Sequence, residues 1–284
     1  NLVFSGHGKH LDCPTLRLTN HHGLIIAGEA ALSNWDAGMD MYIYGKLGNL
    51  TMTKEGINVL MTNLTGKVPP ILQRLDYIRF NGEAAGYLHD LTLTGLFHTG
   101  AGMVKTDVMM SIDEQSMSRT YSGSVASADL DLGKLLNQEK KFGKVDFNVE
   151  LKGFNYKNRY PESYIKGIIS SFEYSQYQYE NIMLDGVYKD GGFNGRLSMD
   201  DANGSVQIDG NFNVAKTIPD FNLKASVKNL RPHDLHLSDK YENASISLDL
   251  TADFTGKSID DMNGRISLDS LQLNAPDEGG CFLD

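Results

Sequence analysis

The residues best equipped for chemistry are few, and most stand in stretches that read as turns. Gly6-His7-Gly8-Lys9-His10-Leu11-Asp12-Cys13 gathers two imidazoles and a thiol, with His21 and His22 close behind. Tetrahedral zinc needs four such ligands on a rigid frame. This stretch supplies neither, so it reads as an exposed polar loop, and no metal is expected. Asp200-Asp201 and Asp260-Asp261 are adjacent carboxylates of the kind that serve as acid and base or hold calcium. They stand just before Asn203-Gly204 and Asn263-Gly264, where turn formation accounts for them more simply. Tyr174, Tyr177 and Tyr179 have the spacing of a sugar-stacking platform, but aromatic residues are equally at home within strands. Gly256-Lys257-Ser258 resembles the end of a phosphate-binding loop, yet Thr251 occupies the position where that loop needs its first glycine. No nucleophile elbow, dinucleotide fingerprint or Ser-His-Asp spacing appears. No enzyme and no cofactor are expected.

The elements that would have to position any site are strands. From Tyr179 to Val214 the chain resolves into three runs with an apolar or glycine residue at every second position. These are Ile182, Leu184, Gly186, Tyr188; then Phe193, Gly195, Leu197, Met199; then Val206, Ile208, Gly210, Phe212. A period of two gives each strand one apolar and one polar face. Asp190-Gly191-Gly192 and Asp200-Asp201-Ala202-Asn203-Gly204 between them suit tight hairpin turns. The same pattern recurs from Leu24 to Leu273, with its cleanest run at Val145, Phe147, Val149 and Leu151. Glycine is plentiful (29 residues against 7 prolines), as many hairpins require. Two short helices interrupt the strands, one over 68–75 and one over 130–137 with Asp129 or Asp131 as its cap. The whole of 1–284 reads as one continuous β module, with a weak sub-boundary near 129–142. Expected, therefore, is an all-β fold: an elongated, curled antiparallel sheet with an open groove and one or two short helices.

The net charge of −10 repels phosphate backbones and argues against nucleic acid as a partner. Cys13 and Cys281 lie at opposite ends of the chain and read as unpaired thiols unless those ends meet. No run of about 18 apolar residues occurs, so no membrane-spanning helix is expected within these residues. Because the chain starts without Met and stops in mid-pattern, it reads as a piece of a longer protein. A short echo also recurs: apolar-x-apolar-polar-Gly at Ile78–Gly82, Leu91–Gly95, Val149–Gly153, Ile182–Gly186 and Val206–Gly210. An aromatic often stands two residues later, as at Phe97, Tyr188 and Phe212. Glycine repeated on the apolar face lets a sheet bend or approach a neighbour closely.

With its strands laid out, the chain resembles the AsmA/TamB superfamily of Gram-negative envelope proteins, in its Bacteroidetes-type, TamB-like form. The residues that carry the likeness are Val68-Pro69-Pro70-Ile71-Leu72 through Ile78–Gly82, Leu93 to Gly102, Leu130 to Leu136, Asn181 to Gly186, Leu230-Arg231-Pro232-His233-Asp234-Leu235 and Ser258 to Gly264. The resemblance covers about Leu47 to Leu273 and rests on the order of these segments, none of which is diagnostic alone. It implies a periplasmic module from the interior or C-terminal side of a protein anchored in the inner membrane. It further implies an apolar groove carrying phospholipid acyl chains between inner and outer membranes, and an outer-membrane barrel partner of the Omp85 type. On this reading the groove is lined by Val104, Val108, Met110, Val145, Phe147, Val149, Leu151, Ile182, Leu184, Val206 and Ile208. Two other readings stand beside it: a scaffold or chaperone that assembles outer-membrane proteins by β-augmentation, and a carbohydrate-binding or adhesin sandwich.

Overall fold

Alternation of apolar and polar residues over runs of ten or more positions, broken by Gly, Asn and Asp, dictates strands joined by short turns. The computed structural model describes residues 2–113, 115–155, 162–213, 216–240, 242–257, 261–275 and 281–283. Val214, Ser258, Ile259 and Asp260 of the segments singled out above lie outside the described residues. The fold is all-β, an antiparallel sheet that does not close into a barrel, with a few short helices. By contacts the chain divides into two compact units, Asn1–Asp146 and Phe147–Asp284.

In the first unit, β1 (Leu2–His7), β2 (His10–Thr19), β3 (Leu24–Ser33), β4 (Tyr42–Thr53), β5 (Tyr77–Tyr87), β6 (Asp90–Thr99), β7 (Gly102–Ile112) and β8 (Arg119–Ala128) form a meander, each strand paired with the next. The short β9 (Leu130–Asp131) pairs with β10 (Phe142–Asn155), whose later residues begin the second unit. Three helices accompany these strands: α1 (Lys54–Thr65), α2 (Pro70–Gln73) and α3 (Leu132–Leu136). α2 starts on its proline, and Asp131 caps α3 by accepting from the Lys134 N–H at 2.8 Å, as its residue types predict.

α1 is not one of the two helices expected from the sequence. Thr53 caps it through the Gly56 N–H, and Gly66 ends it in the left-handed conformation. Ile57, Leu60 and Met61 are spaced for one helical face, a signal masked by Gly56, Val59 and Thr62, which are weak helix formers. Packing on β4 and β5 outweighs that propensity. Ile57 is 1% exposed, and Leu75, Ile78, Phe80, Ala101, Leu130 and Leu135 are buried with it. Arg74 donates to the Leu135 carbonyl, and the Lys134 ammonium reaches Asp76 at 2.6 Å and the Gly100 carbonyl at 2.9 Å. The helices thus close one end of this unit's apolar face.

The second unit continues the meander through β11 (Glu162–Tyr174), β12 (Tyr177–Lys189), β13 (Gly192–Asp201), β14 (Gly204–Asn213), β15 (Asp220–Leu230), β16 (Ser245–Thr255), β17 (Asn263–Asn274) and β18 (Cys281–Leu283). No helix covers its apolar face among the described residues. The β15–β16 connection closes one end instead. Leu235 is fully buried there, and the Tyr179 hydroxyl donates to its carbonyl at 2.7 Å.

Candidate functional site

Antiparallel pairing places residues directly opposite one another on the same face, so register turns the sequence pattern into a surface. In the second unit Ile169, Ile182, Met199, Val206, Val227, Leu248 and Leu271 stand opposite one another across seven strands. A second row on that face runs Gly167, Leu184, Leu197, Ile208, Ala225, Leu250 and Leu268. Val149 extends it, since a Cβ built on Gly167 meets the Val149 Cα at 2.7 Å. Nearly every side chain in the two rows is half-buried, and Leu268 is 45% exposed. A second sheet laid over them would have buried them. They form an accessible apolar face.

Beyond these rows comes a third, in which Gly186, Gly195 and Gly210 stand in direct register, and then a fourth of Tyr188, Phe193, Phe212, Phe221 and Phe254. The rings fold back over the glycines: a Cβ at Gly186 would meet the Phe193 ring at 2.6 Å. Gly195 has φ of +157° and Gly210 of +149°, and a Cβ at Gly195 would lie 2.3 Å from the Asp185 carbonyl oxygen. Only glycine fits so close to the next strand. The first unit repeats the device. Gly82 faces Gly95, Phe80 faces Phe97 with ring centroids 4.5 Å apart, and the Phe80 ring lies over Gly95. The recurring glycines thus have a physical origin: Gly186 and Gly95 each make room for a ring from the adjoining strand, and Gly195 and Gly210 for its backbone.

Of the expected lining residues, Ile182 with Val206, and Leu184 with Ile208 and Val149, come together in the two rows above. Phe147 and Leu151 are half-buried on β10. In the first unit Val104 faces Phe97, Val108 faces Leu93, and Met110 faces Leu91 and is 39% exposed. Val145 does not belong with them. It pairs with Leu130 of β9 and is 6% exposed, so it is core that no ligand reaches. Reading β10 alone gave it the parity of Phe147 but not the neighbour that buries it. The expectation also passed over Ile169, Leu197, Met199, Val227, Leu248 and Leu250, which register places beside the residues chosen. Their alternation was visible; their alignment was not.

The other candidates resolve into structure. His10 is held by Ser33 at 2.6 Å and Asp12 at 2.8 Å, and Cys13 is a buried free thiol. Among the described residues no three His, Cys, Asp or Glu side chains converge for a metal. Tyr177 donates to Asp201 at 2.5 Å and accepts from the Asn203 amide at 3.1 Å, while His236 meets the Ser175 carbonyl at 2.9 Å. Tyr177 is thus tied to the β13–β14 turn, and Tyr179, through the Leu235 carbonyl, to the β15–β16 connection. Burial, and then the Asp201 hydrogen bond, push the Tyr177 phenol up to about 12. Asp261 accepts from the Lys257 N–H at 3.0 Å, which is turn chemistry.

No family model, curated protein or solved structure matches the chain.

The described hollows of the second unit lie on its polar face. One, of about 700 Å³, is lined by side chains including Asp209, Asn222, Lys224 and Asp249. The other, of about 350 Å³, is lined by Val187, Asn194 and Asn211 among others. Side-chain length explains the contrast. On the apolar face rings refill the space that glycine opens, whereas on the polar face short Asn and Asp side chains stand between long Lys and Arg.

Proposed function

We propose that the apolar sheet face holds the acyl chains of phospholipids, and that the protein is a module of a lipid-carrying bridge of the AsmA/TamB kind, working in the periplasm between inner and outer membranes with an outer-membrane barrel as partner. The observation that carries the proposal is the pair of cross-strand rows in the second unit. They are apolar through seven strands and still reachable by solvent. Soluble proteins rarely leave so much contiguous apolar surface without a partner. Each methylene laid against such a surface contributes about 0.8 kcal/mol without directional demand. That suits a ligand that slides, and no residue of the two rows carries a charge. A hydrocarbon chain also needs no polar anchor on this face.

The test is extraction and mass spectrometry of lipid from the protein purified out of a Gram-negative envelope, comparing wild type with Ile208→Arg. Co-purifying phospholipid that falls several-fold in the variant, with an unchanged melting temperature, is the expected result. An arginine on an open face reaches water, whereas one forced into a core unfolds the chain. Unfolding of Ile208→Arg, or lipid-free wild type, would overturn the proposal.

A further inference from the structure

The polar face of the second unit carries a row that the acyl-chain reading does not use. Tyr164, Val187, Asn194, Asn211 and Asn222 stand opposite one another across five strands. Asparagine is among the residues that strands disfavour, and three in register in mid-strand forgo the propensity that Thr or Val would supply. Nothing intramolecular offsets this. All three are exposed, and among the described residues none of their carboxamides makes a side-chain hydrogen bond. Asn194 and Asn211 line one of the two hollows, and Asn222 lines the other. At the head of the row the Tyr164 ring is 38% exposed, with its hydroxyl fixed on Asp185 at 2.7 Å.

We infer that this row is a binding site for an uncharged oligosaccharide chain lying across the strands. Three carboxamides repeat at the strand spacing of about 4.8 Å. Each offers two donors and an acceptor oxygen, which matches a chain of repeating hydroxyl or acetamido groups. The tyrosine supplies an apolar ring face for a sugar ring to stack on. Anionic ligands are not selected: Lys166 is neutralised by Asp185 at 3.1 Å and Arg196 by Asp209 at 2.9 Å, and the hollow that Asn222 lines carries Asp209, Asp249 and Asp269 against Lys224. A peptide strand is not selected either, since the backbone groups of these strands are already spent in the ladder.

The experiment is an NMR titration of the whole chain with cellotetraose, chitotetraose, maltotetraose and mannotetraose, following the Asn side-chain NH₂ signals. At least one tetrasaccharide is expected to shift the Asn194, Asn211 and Asn222 signals. The triple variant Asn194→Thr, Asn211→Thr, Asn222→Thr should weaken that binding at least tenfold, while its melting temperature holds or rises because Thr suits a strand. Tyr164→Ala should weaken it and Tyr164→Phe largely retain it. The inference is overturned if none of the four sugars shifts these signals at millimolar concentration, or if the triple variant binds undiminished. Because this row and the acyl-chain rows are on opposite faces, lipid content is expected to be unaffected by the triple variant.

Discussion

The two units are built by the same rule and finished differently. Both meander, both set glycine opposite glycine, and both fold aromatic rings over those glycines. In the first, helices close one end of the apolar face, and Ile57 on α1 together with Ile78, Phe80 and Leu130 of the strands is core. In the second, no described helix intervenes, and Leu184, Leu197, Val206 and Ile208 keep contact with water. Alternation alone therefore does not define a core. It defines a face, and what lies on the face decides whether its residues serve stability or remain available to a ligand.

The largest effect should come from setting one truncation in each region side by side. Ile57→Ala removes a side chain that is 1% exposed, and is expected to cost about 2–5 kcal/mol in urea denaturation followed by the fluorescence of Trp35, the chain's one tryptophan. Leu197→Ala removes an isomeric aliphatic group, three carbons in each case, from an uncovered face and should cost about 1 kcal/mol or less, because that side chain never fully left water. Equal costs would show the second unit's face to be packed core, and the contrast between the units would collapse.

A smaller effect tests the feature the units share. Gly195→Ala places a methyl 2.3 Å from the Asp185 carbonyl oxygen at a φ of +157°. A loss of about 1–3 kcal/mol is expected from strain and strand displacement. Ala at Gly45 should be nearly neutral by the same measurement, because no described atom lies within 4 Å of a Cβ there. If both substitutions are tolerated, glycine recurs for reasons other than close approach.

Much of this architecture could be read from the chain. The three runs between Tyr179 and Phe212 pair with the alignment their spacing implies: Ile182 opposite Met199 opposite Val206, and Gly186 opposite Gly195 opposite Gly210. Tight turns leave little freedom in register, so local sequence settles these pairs. Where an extra residue enters a strand, parity is lost. Leu47 and Leu50 share a face because Gly48 and Asn49 form a bulge between them, and no period-two count across β4 finds that. Val145 escapes such a count for a different reason. Burial by a neighbouring element is a property of tertiary packing, which leaves no trace in the period of either partner. The asparagine row was overlooked because each residue sits unremarkably within its own strand and acquires meaning only beside the other two.

The smallest effects concern how each unit closes its end, and they should respond to pH with opposite sign. In the first unit Lys134, by hydrogen bond and charge, holds the Asp76 carboxyl below its usual range. A depressed folded pKa gives stability that is present above the unfolded value and lost as pH falls through the folded one. Asp76 is well exposed, so that loss, seen in Trp35 fluorescence below pH 4, should be slight. In the second unit the Tyr177 phenol, raised to about 12, keeps its proton more tightly folded than unfolded. Its contribution is complete below about pH 10, the ordinary tyrosine value, and disappears as pH climbs through about 12. Urea midpoints followed by circular dichroism at pH 9 and pH 11 should therefore fall for wild type and fall less for Tyr177→Phe. The residual slope belongs to the other phenols whose folded values are raised, Tyr179 and Tyr44 chiefly by burial and Tyr164 chiefly by its hydrogen bond to Asp185. A Tyr177→Phe midpoint that drops as far as wild type over this interval would mean that the Tyr177–Asp201 hydrogen bond, between β12 and the end of β13, does not help to hold this end of the unit together. Leu235 alone would then close that end of the unit, much as Ile57 does in the first.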